Sequence, residues 1–286
     1  MSQTWEQWSP ELWVARSRLY ATNSGIFLSR GQACLVDPGV FPEEVLSIRR
    51  FVEDRGAAVR AIVLTHSHWD HVLGPAAFPG VLLVAQALYA QAIAGDAAQR
   101  IIAEVAGWAA EQGVEGVEAF ALPQPGRTFD REDELLIGGL RLCLVHAPGH
   151  EADQCVVYEP GAGVLWAADM LSDLEIPFVC HSLPAYERTL ADLASWSVRL
   201  LVPGHGQPTS DAGEIARRQD HDRTYLADLH ARVSGALGQG KGLEETVEAC
   251  ADMAFRHRSD NGAAHRRNVE GAYVELGGAP QAAPES

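Results

Sequence analysis

Four side chains of metal-ligand type stand within six residues, from His66 to His71, where the chain reads His-Ser-His-Trp-Asp-His. Imidazole nitrogen and carboxylate oxygen are the usual donors for Zn²⁺, and they also suit Fe and Mn. The segment directly follows an apolar, β-branched run at 59–64, which predicts a loop at the end of a buried strand. In extended chain, His66 and His68 share a face, whereas Asp70 and His71 point elsewhere. One loop can therefore address two metal ions, and the alternative for this segment alone is a solvated loop without a ligand.

Three further candidate ligands, His150, Asp169 and His205, each follow an apolar stretch that reads as a strand. Pro and Gly precede both histidines, which favours a tight turn that aims the ring. Binding sites in layered α/β folds are assembled at strand ends. Any one of these residues alone has a simple loop position as its alternative. Together with the segment 66–71, they predict one metal centre.

The surrounding pattern predicts two strand-rich blocks, each followed by helices. The predicted strands are 12–15, 25–28, 34–36, 59–64, 81–84, 134–137, 140–145, 155–158, 164–167 and 198–202. The predicted helices are 42–55, 86–112 with a break near 95, 184–196, and most of 211–277. Such an order favours stacked sheets with helices on the outside.

Composition limits the function classes. The 286 residues are 47% hydrophobic and 21% charged, which is typical of a globular protein and excludes general disorder. Lys and Arg total 22 against 38 Asp and Glu, a net charge of −16. A surface this negative repels phosphate backbones, so we expect no nucleic-acid or membrane partner. We expect a small-molecule substrate, with a homodimer as an open option.

Targeting signals and cysteine usage favour a cytoplasmic protein. The first residues lack the basic and apolar regions of a secretory signal, and the apolar run 81–95 is too short to span a bilayer. Five cysteines without a CxxC spacing argue against a disulfide framework and against a thiolate zinc site. They are Cys34, Cys143, Cys155, Cys180 and Cys250.

The ordered motif series resembles that of the metallo-β-lactamase fold hydrolases, in the branch of glyoxalase II and the lactonases. The resemblance covers roughly residues 12–210. It implies an α/β fold, a four-layer αβ/βα sandwich with the site along one edge of two facing sheets. We therefore predict a metallo-β-lactamase fold domain over 1–210 and a helical C-terminal extension over 211–286, packed on the same domain.

The resemblance also implies a ligand set for two divalent metal ions. It assigns His66, His68 and His150 to one ion. It assigns Asp70, His71 and His205 to the second, with Asp169 bridging both. Asp37, at the end of its own strand, matches the acid that orients ligating imidazoles, with an Asx turn as the alternative.

The implied activity is hydrolysis of an ester, thioester or lactone bond by a metal-bridging hydroxide. A pair of divalent ions, expected to be Zn²⁺ with Fe or Mn as alternatives, lowers the pKa of a bound water from 15.7 toward about 7. Asp70 is placed to accept the proton of the nucleophile and pass it to the leaving group. Asp70 is thus the predicted catalytic residue as well as a ligand.

Departures from known branches leave the substrate open. Asp169 stands where β-lactamases carry Cys or Ser, the Gly-Cys-Gly-Arg stretch of glyoxalase II is absent, and Ser172 replaces the Tyr of acyl-homoserine lactonases. The alternative function is a mononuclear iron oxygenase resembling the persulfide dioxygenases, which use only ligands of the His66, His150 and Asp169 type. A non-catalytic member that binds a ligand is a third hypothesis.

Several residues near the motifs have open roles. Glu151 is either a partner of a ligand or a rim residue, and His181 is a candidate substrate contact. Trp69 lies in the ligand loop, whereas core packing is favoured for Phe178. The C-terminal helices carry a basic cluster. We favour ion pairs between this cluster and acidic side chains over binding of an anionic substrate. That cluster is Arg256, His257, Arg258, His265, Arg266 and Arg267.

Overall fold

The computed structural model describes residues 3–279, and within them the chain forms two β-sheets covered by α-helices. The strands are β1 Thr4–Gln7, β2 Leu12–Arg16, β3 Asn23–Ser29, β4 Gln32–Val36, β5 Ala58–Val63, β6 Leu82–Gln86, β7 Arg127–Phe129, β8 Glu132–Ile137, β9 Leu140–His146, β10 Cys155–Glu159, β11 Val164–Trp166 and β12 Leu200–Val202. The helices are α1 Pro42–Glu53, α2 Tyr89–Ala92, α3 Gly95–Gln112, α4 Leu183–Leu193, α5 Ala212–Gly238, α6 Leu243–Cys250 and α7 Arg258–Glu275.

The first sheet follows chain order from β1 to β7. Its strands β1 to β4 are antiparallel hairpins, and β4 to β7 run parallel. Helix α1 makes the crossover from β4 to β5, as parallel pairing requires. Pro42 begins this helix, and the Glu44 carboxylate accepts the Phe41 backbone N–H, which satisfies a donor at the N-terminus.

The second sheet has the order β12-β11-β10-β9-β8. Strands β8 to β11 are antiparallel, and β12 joins β11 in parallel. Its first hairpin turns at Gly138 and Gly139, which have φ of +57° and +94°. This left-handed backbone favours glycine, which explains why two glycines form the turn.

The two sheets face each other across one apolar layer, and helices cover their outer faces. Alternate residues of β4 show the arrangement, because Cys34 and Val36 pack against the second sheet whereas Ala33 and Leu35 pack under α1. Trp166, fully buried, is the largest side chain between the sheets. The predicted four-layer αβ/βα sandwich is confirmed.

The C-terminal helices cover the second sheet. Tyr225, Leu229 and Val233 of α5 share one apolar cluster with Val156 and Leu165 of the sheet. The division at residues 210 and 211 stays a prediction, and residues 280–286 of the predicted extension lie outside the described part. Across residues 3–279, none of the helices combines the length and apolarity needed to cross a membrane.

Two differences from the predicted elements concern local geometry. The predicted helix 86–112 begins later, because β6 continues to Gln86 and α2 starts at Tyr89. The predicted break near 95 is present, and Gly95, the first residue of α3, has a left-handed φ of +56°. The sequence did not predict β1 and β7. Both are short strands at the two edges of the first sheet, and β1 is largely polar, so neither has a strong local signal.

Candidate metal centre

All seven predicted ligand residues meet beyond the ends of β5, β9, β11 and β12. In the first group, His66, His68, His150 and Asp169 each offer a donor atom within 4.8 Å of the others. In the second group, Asp70, His71 and His205 do the same. Segments more than a hundred residues apart in the chain therefore converge on one site.

Close backbone approaches hold the turns that carry these ligands. A Cβ atom at Gly149 would lie 2.4 Å from the Tyr186 Cα, and one at Gly204 would lie 2.2 Å from Asp169 Oδ1. Only glycine therefore fits before His150 and His205. Ala168, just before Asp169, has a φ of +50°. Strained backbone of this kind persists where the surrounding structure determines it, and it is concentrated at functional sites.

The first group is compact around one carboxylate oxygen. His150 Nε2 lies 3.1 Å from His68 Nδ1. Asp169 Oδ2 lies 3.5 Å from His66 Nε2 and 3.4 Å from His150 Nε2. These separations leave the donor atoms facing one common point.

The second group has a similar geometry. His71 Nε2 and His205 Nε2 lie 3.3 Å apart. Asp70 Oδ2 is 3.3 Å from His205 Nε2 and 3.6 Å from His71 Nε2. Asp169 Oδ1 reaches His71 Nε2 at 3.2 Å, so the Asp169 carboxylate lies between the two groups.

In each imidazole of the centre, one ring nitrogen faces away from the cluster and is called the outer nitrogen here. Backbone carbonyls accept hydrogen bonds from the outer nitrogens of two of these imidazoles. His150 Nδ1 donates to the Phe178 carbonyl at 2.7 Å, and His205 Nδ1 donates to the Tyr20 carbonyl at 3.2 Å. A carbonyl can only accept, so each Nδ1 carries the proton. In the neutral rings, the Nε2 lone pairs of His150 and His205 then point into the cluster, as metal ligation needs.

Asp37 fixes the imidazoles of His71 and His66 from behind. Its Oδ2 accepts from His71 Nδ1 at 3.0 Å and from the Thr65 hydroxyl at 2.7 Å. The Thr65 oxygen can then accept from His66 Nδ1, 3.0 Å away. Both inner Nε2 atoms are therefore left as acceptors. Asp37 thus contacts a candidate ligand, in the position that the resemblance implied.

Glu151 orients the His68 imidazole, as Asp37 orients that of His71. His68 Nε2 donates to Glu151 Oε1 at 2.9 Å, which turns His68 Nδ1 toward the cluster. Burial raises the pKa of Glu151, but the hydrogen bond and charge of His68 outweigh it and lower that pKa to about 2. From the sequence, Glu151 was either a partner of a ligand or a rim residue, and the structure shows the first. The Cys180 thiol lies beside the same pair, a contact that the sequence did not indicate.

The donor set fits divalent metal ions. His66 Nε2 and Asp169 Oδ1 are buried and have no hydrogen-bond partner among the described residues. Buried polar atoms without partners are rare in proteins and call for an explanation. Imidazole nitrogens about 3 Å apart also repel each other unless a proton or a metal ion lies between them. Nitrogen and oxygen donors in this arrangement suit zinc, iron or manganese.

The buried groups of the centre shift one another's pKa values in both directions. Burial raises the pKa of Asp169, but the imidazoles of His205, His71 and His66 outweigh it and lower that pKa well below its usual range. Burial lowers the pKa of His205, but Asp169, Glu175 and Asp70 raise it to about 10. Burial and the charge of His68 lower the pKa of His150 to about 4.

A cavity of about 410 Å³ opens over both groups. Tyr20, Trp69, Ile176 and Phe178 form part of its wall, so Trp69 lies at the site as expected. The prediction of core packing for Phe178 was wrong in part. Phe178 is half-buried at this wall, and its backbone carbonyl accepts from His150 Nδ1.

Tyr186, His146 and His181 lie near the centre but outside both groups. The Tyr186 hydroxyl donates to the Asp169 carbonyl at 3.0 Å and is buried behind that residue. His146 Nε2 donates to the Ala152 carbonyl at 2.8 Å, which supports a structural role. His181 is exposed and does not line the cavity over the centre.

Glu175 and Tyr20 line the cavity and were not predicted. Burial raises the pKa of Glu175. Tyr20 has a φ of +51° and is 61% exposed at the cavity mouth. Neither residue lies in a motif, so only the folded structure brings them to the site.

The motif resemblance is confirmed at the level of the family. A family model described as the Metallo-beta-lactamase superfamily matches residues 18–205. The match covers more than half of the chain, so this protein belongs to the metallo-β-lactamase superfamily. Members of that superfamily are metal-dependent hydrolases. The branch within it stays a prediction.

Individual relatives are distant and longer. A linear primary-alkylsulfatase of Pseudomonas sp. is 25% identical over 255 residues, which cover 75% of this chain and 47% of the relative. The thioesterase pkgB of Emericella nidulans is 22% identical over 250 residues, which cover 85% of this chain and 64% of the relative. This chain thus spans about half to two thirds of the length of these relatives.

A solved structure of full-length similarity supports the fold. The metallo-beta-lactamase family protein TTHA1429 from Thermus thermophilus aligns with a TM-score of 0.69 and 21% identity. The alignment covers 97% of this chain and 98% of that structure. The C-terminal helices are therefore included in the shared architecture.

Proposed function

We propose that this protein is a dinuclear metal-dependent hydrolase of an ester, thioester or lactone bond. One observation carries the proposal. Five imidazoles converge in two groups around two carboxylates, and every outer nitrogen is held by an acceptor. Such partners of ligating histidines fix the tautomer that binds a metal ion.

In the proposed centre, each group would hold one ion. His66, His68 and His150 would bind the first, Asp70, His71 and His205 the second, and Asp169 would contact both. Zn²⁺ is expected, with Fe or Mn as alternatives. When bound, such ions polarise the reacting oxygen of the substrate and bring the pKa of a bound water near 7.

Asp70 is the proposed proton carrier. Its carboxylate lies in the second group and also lines the cavity, so it touches both the centre and the substrate space. A carboxylate in that position can accept a proton from the attacking water and return it to the leaving group. The rings of Trp69 and Phe178 would exclude water from the apolar part of the substrate.

The completeness of the second group favours hydrolysis over oxygenation. The alternative, a mononuclear iron oxygenase resembling the persulfide dioxygenases, needs only ligands of the first group. Here the outer nitrogens of His71 and His205 also have hydrogen-bond acceptors, as those of the first group do. The names of the two relatives, an alkylsulfatase and a thioesterase, support ester-type substrates.

Metal content and a substrate panel test this proposal. We expect about two divalent ions per chain by elemental analysis, with turnover of at least one oxoester, thioester or lactone. His71→Ala should lose one ion, whereas His181→Ala, which removes an exposed imidazole outside both groups, should retain two. One iron per chain with oxygen uptake would support the oxygenase instead. A cytoplasmic location and a homodimer stay predictions.

A further inference from the structure

Arg267 is the one Lys or Arg side chain among the described residues that line the cavity over the centre. It is exposed on α7 and faces a wall that carries the candidate ligands. Within residues 3–279, no carboxylate lies within 4.0 Å of its guanidinium, and it forms no side-chain hydrogen bond. Its charge and its five N–H donors are therefore free for a ligand.

The neighbouring arginines differ in this respect. Arg256 pairs with the buried Asp222 at 2.6 Å. Arg258 donates to the backbone carbonyls of Met253 and Ala251. Arg266 lies 2.8 Å from Glu244 and also contacts Glu270. The prediction of a helix face paired with acids thus holds for Arg256 and Arg266, whereas carbonyls bind Arg258 and no partner among the described residues binds Arg267.

The helix that carries Arg267 is held firmly at the cavity wall. The adjacent Asn268 is fully buried, and its amide donates to the Pro177 carbonyl at 2.7 Å. Its oxygen accepts from the Val179 N–H at 2.8 Å. These bonds tie α7 to the segment that contains Phe178, another residue of the cavity wall. A cation placed on a fixed helix can select a ligand group by position.

The other residues that line the cavity indicate which ligands could reach Arg267. Tyr20, Trp69, Ile176 and Phe178 add aromatic and aliphatic surface to the same cavity that Arg267 and the candidate ligands line. Glu104 and Glu175 also line the cavity, but neither forms an ion pair with Arg267. A substrate with an apolar segment and an anionic end would therefore meet complementary groups at both places.

We propose that Arg267 binds an anionic group, such as a carboxylate, that the substrate carries at a distance from the bond to be cleaved. This inference rests on the proposed function, since it names the substrate class of the same site. The guanidinium fork would receive the anion in two parallel hydrogen bonds, as arginine does with carboxylates.

Turnover gives the first test. The probes are the 4-nitrophenyl monoester of adipic acid and 4-nitrophenyl hexanoate, which differ by one terminal carboxylate. The measured quantity is the ratio of kcat/KM for the anionic ester to that for the neutral ester. Arg267→Gln should lower this ratio by about 10–100-fold, the value of a charged hydrogen bond. Arg266→Gln, an exposed arginine on the same helix, is the matched control and should retain it.

Binding gives a second test that needs no turnover. Calorimetry on the metal-loaded protein compares dicarboxylates, from succinate to suberate, with monocarboxylates of the same length. The wild type and Arg266→Gln should prefer a dicarboxylate of at least one length by about 10–100-fold. Arg267→Gln should lose this preference, and Arg267→Lys should retain part of it because the charge remains.

The two tests separate the possible failures. If the wild type shows no preference for any dicarboxylate, or if Arg267→Gln keeps it, the anion site is refuted. If the metal-loaded wild type hydrolyses neither ester nor any member of the wider panel, the proposed function fails. The calorimetric comparison then still decides the role of Arg267.

Discussion

Removal of the Glu151 carboxylate tests how the first metal group is organised. The hydrogen bond from His68 Nε2 to Glu151 Oε1 is 2.9 Å long, and the Glu151 side chain is 24% exposed. Loss of a partner that orients a ligating histidine typically costs 10–100-fold in metal affinity. This corresponds to about 1.4–2.7 kcal/mol. The value agrees with about 1.5–3 kcal/mol for a hydrogen bond to a charged group.

Competition with a chelator of known affinity measures this loss. Glu151→Ala should weaken one of the two metal equivalents by about 10–100-fold and leave the other nearly unchanged. Glu151→Gln keeps an acceptor and should show a smaller loss. Glu187→Ala is a matched control, because it removes a similar 2.9 Å hydrogen bond, from His230 of α5 to Glu187 of α4.

Two results would refute this reasoning. Equal metal affinity in Glu151→Ala and the wild type would mean that the hydrogen bond does not orient His68. An equal loss in Glu187→Ala would mean that the effect is general destabilisation and not the position of a ligand.

Three further predictions concern catalysis and stability. Asp70→Ala should abolish hydrolysis, a loss of at least about 100-fold in kcat, with an unchanged circular dichroism spectrum; retained turnover would remove Asp70 from the mechanism. Asn268→Ala leaves the Val179 N–H without its partner and should lower the free energy of unfolding in urea by about 2–4 kcal/mol; a loss below about 1 kcal/mol would contradict its role. Gly74→Ala places a Cβ 1.6 Å from the Pro38 carbonyl oxygen and should lower the midpoint of thermal unfolding, equivalent to about 1–3 kcal/mol. An unchanged midpoint would mean that this loop yields easily.

Local patterns in the sequence predicted most of what positions the ligands. The run before His66 and the Pro-Gly turns before His150 and His205 are local signals, and the structure places each at a strand end. Glu151 also had a local signal, because it directly follows the predicted ligand His150. Its distance to His68 could not be predicted, since the two residues are 83 positions apart.

The cavity walls could not be predicted in the same way. Tyr20 and Glu175 reach the site through loops whose paths depend on tertiary packing. Arg267 is one of six basic or histidine residues between positions 256 and 267, and which one faces the cavity depends on how Asn268 anchors α7. Helix periodicity alone gives little guidance there, since the apolar residues of α7 do not form a distinct stripe.

Anomalous diffraction from crystals of the metal-loaded protein tests the central claim most directly. Data at the absorption edge of the bound metal should give two peaks in each chain. One should lie within about 2.0–2.3 Å of donor atoms of His66, His68 and His150, and the other within the same range of His71 and His205. A single peak in the first group, or peaks away from both groups, would contradict the account of a dinuclear centre.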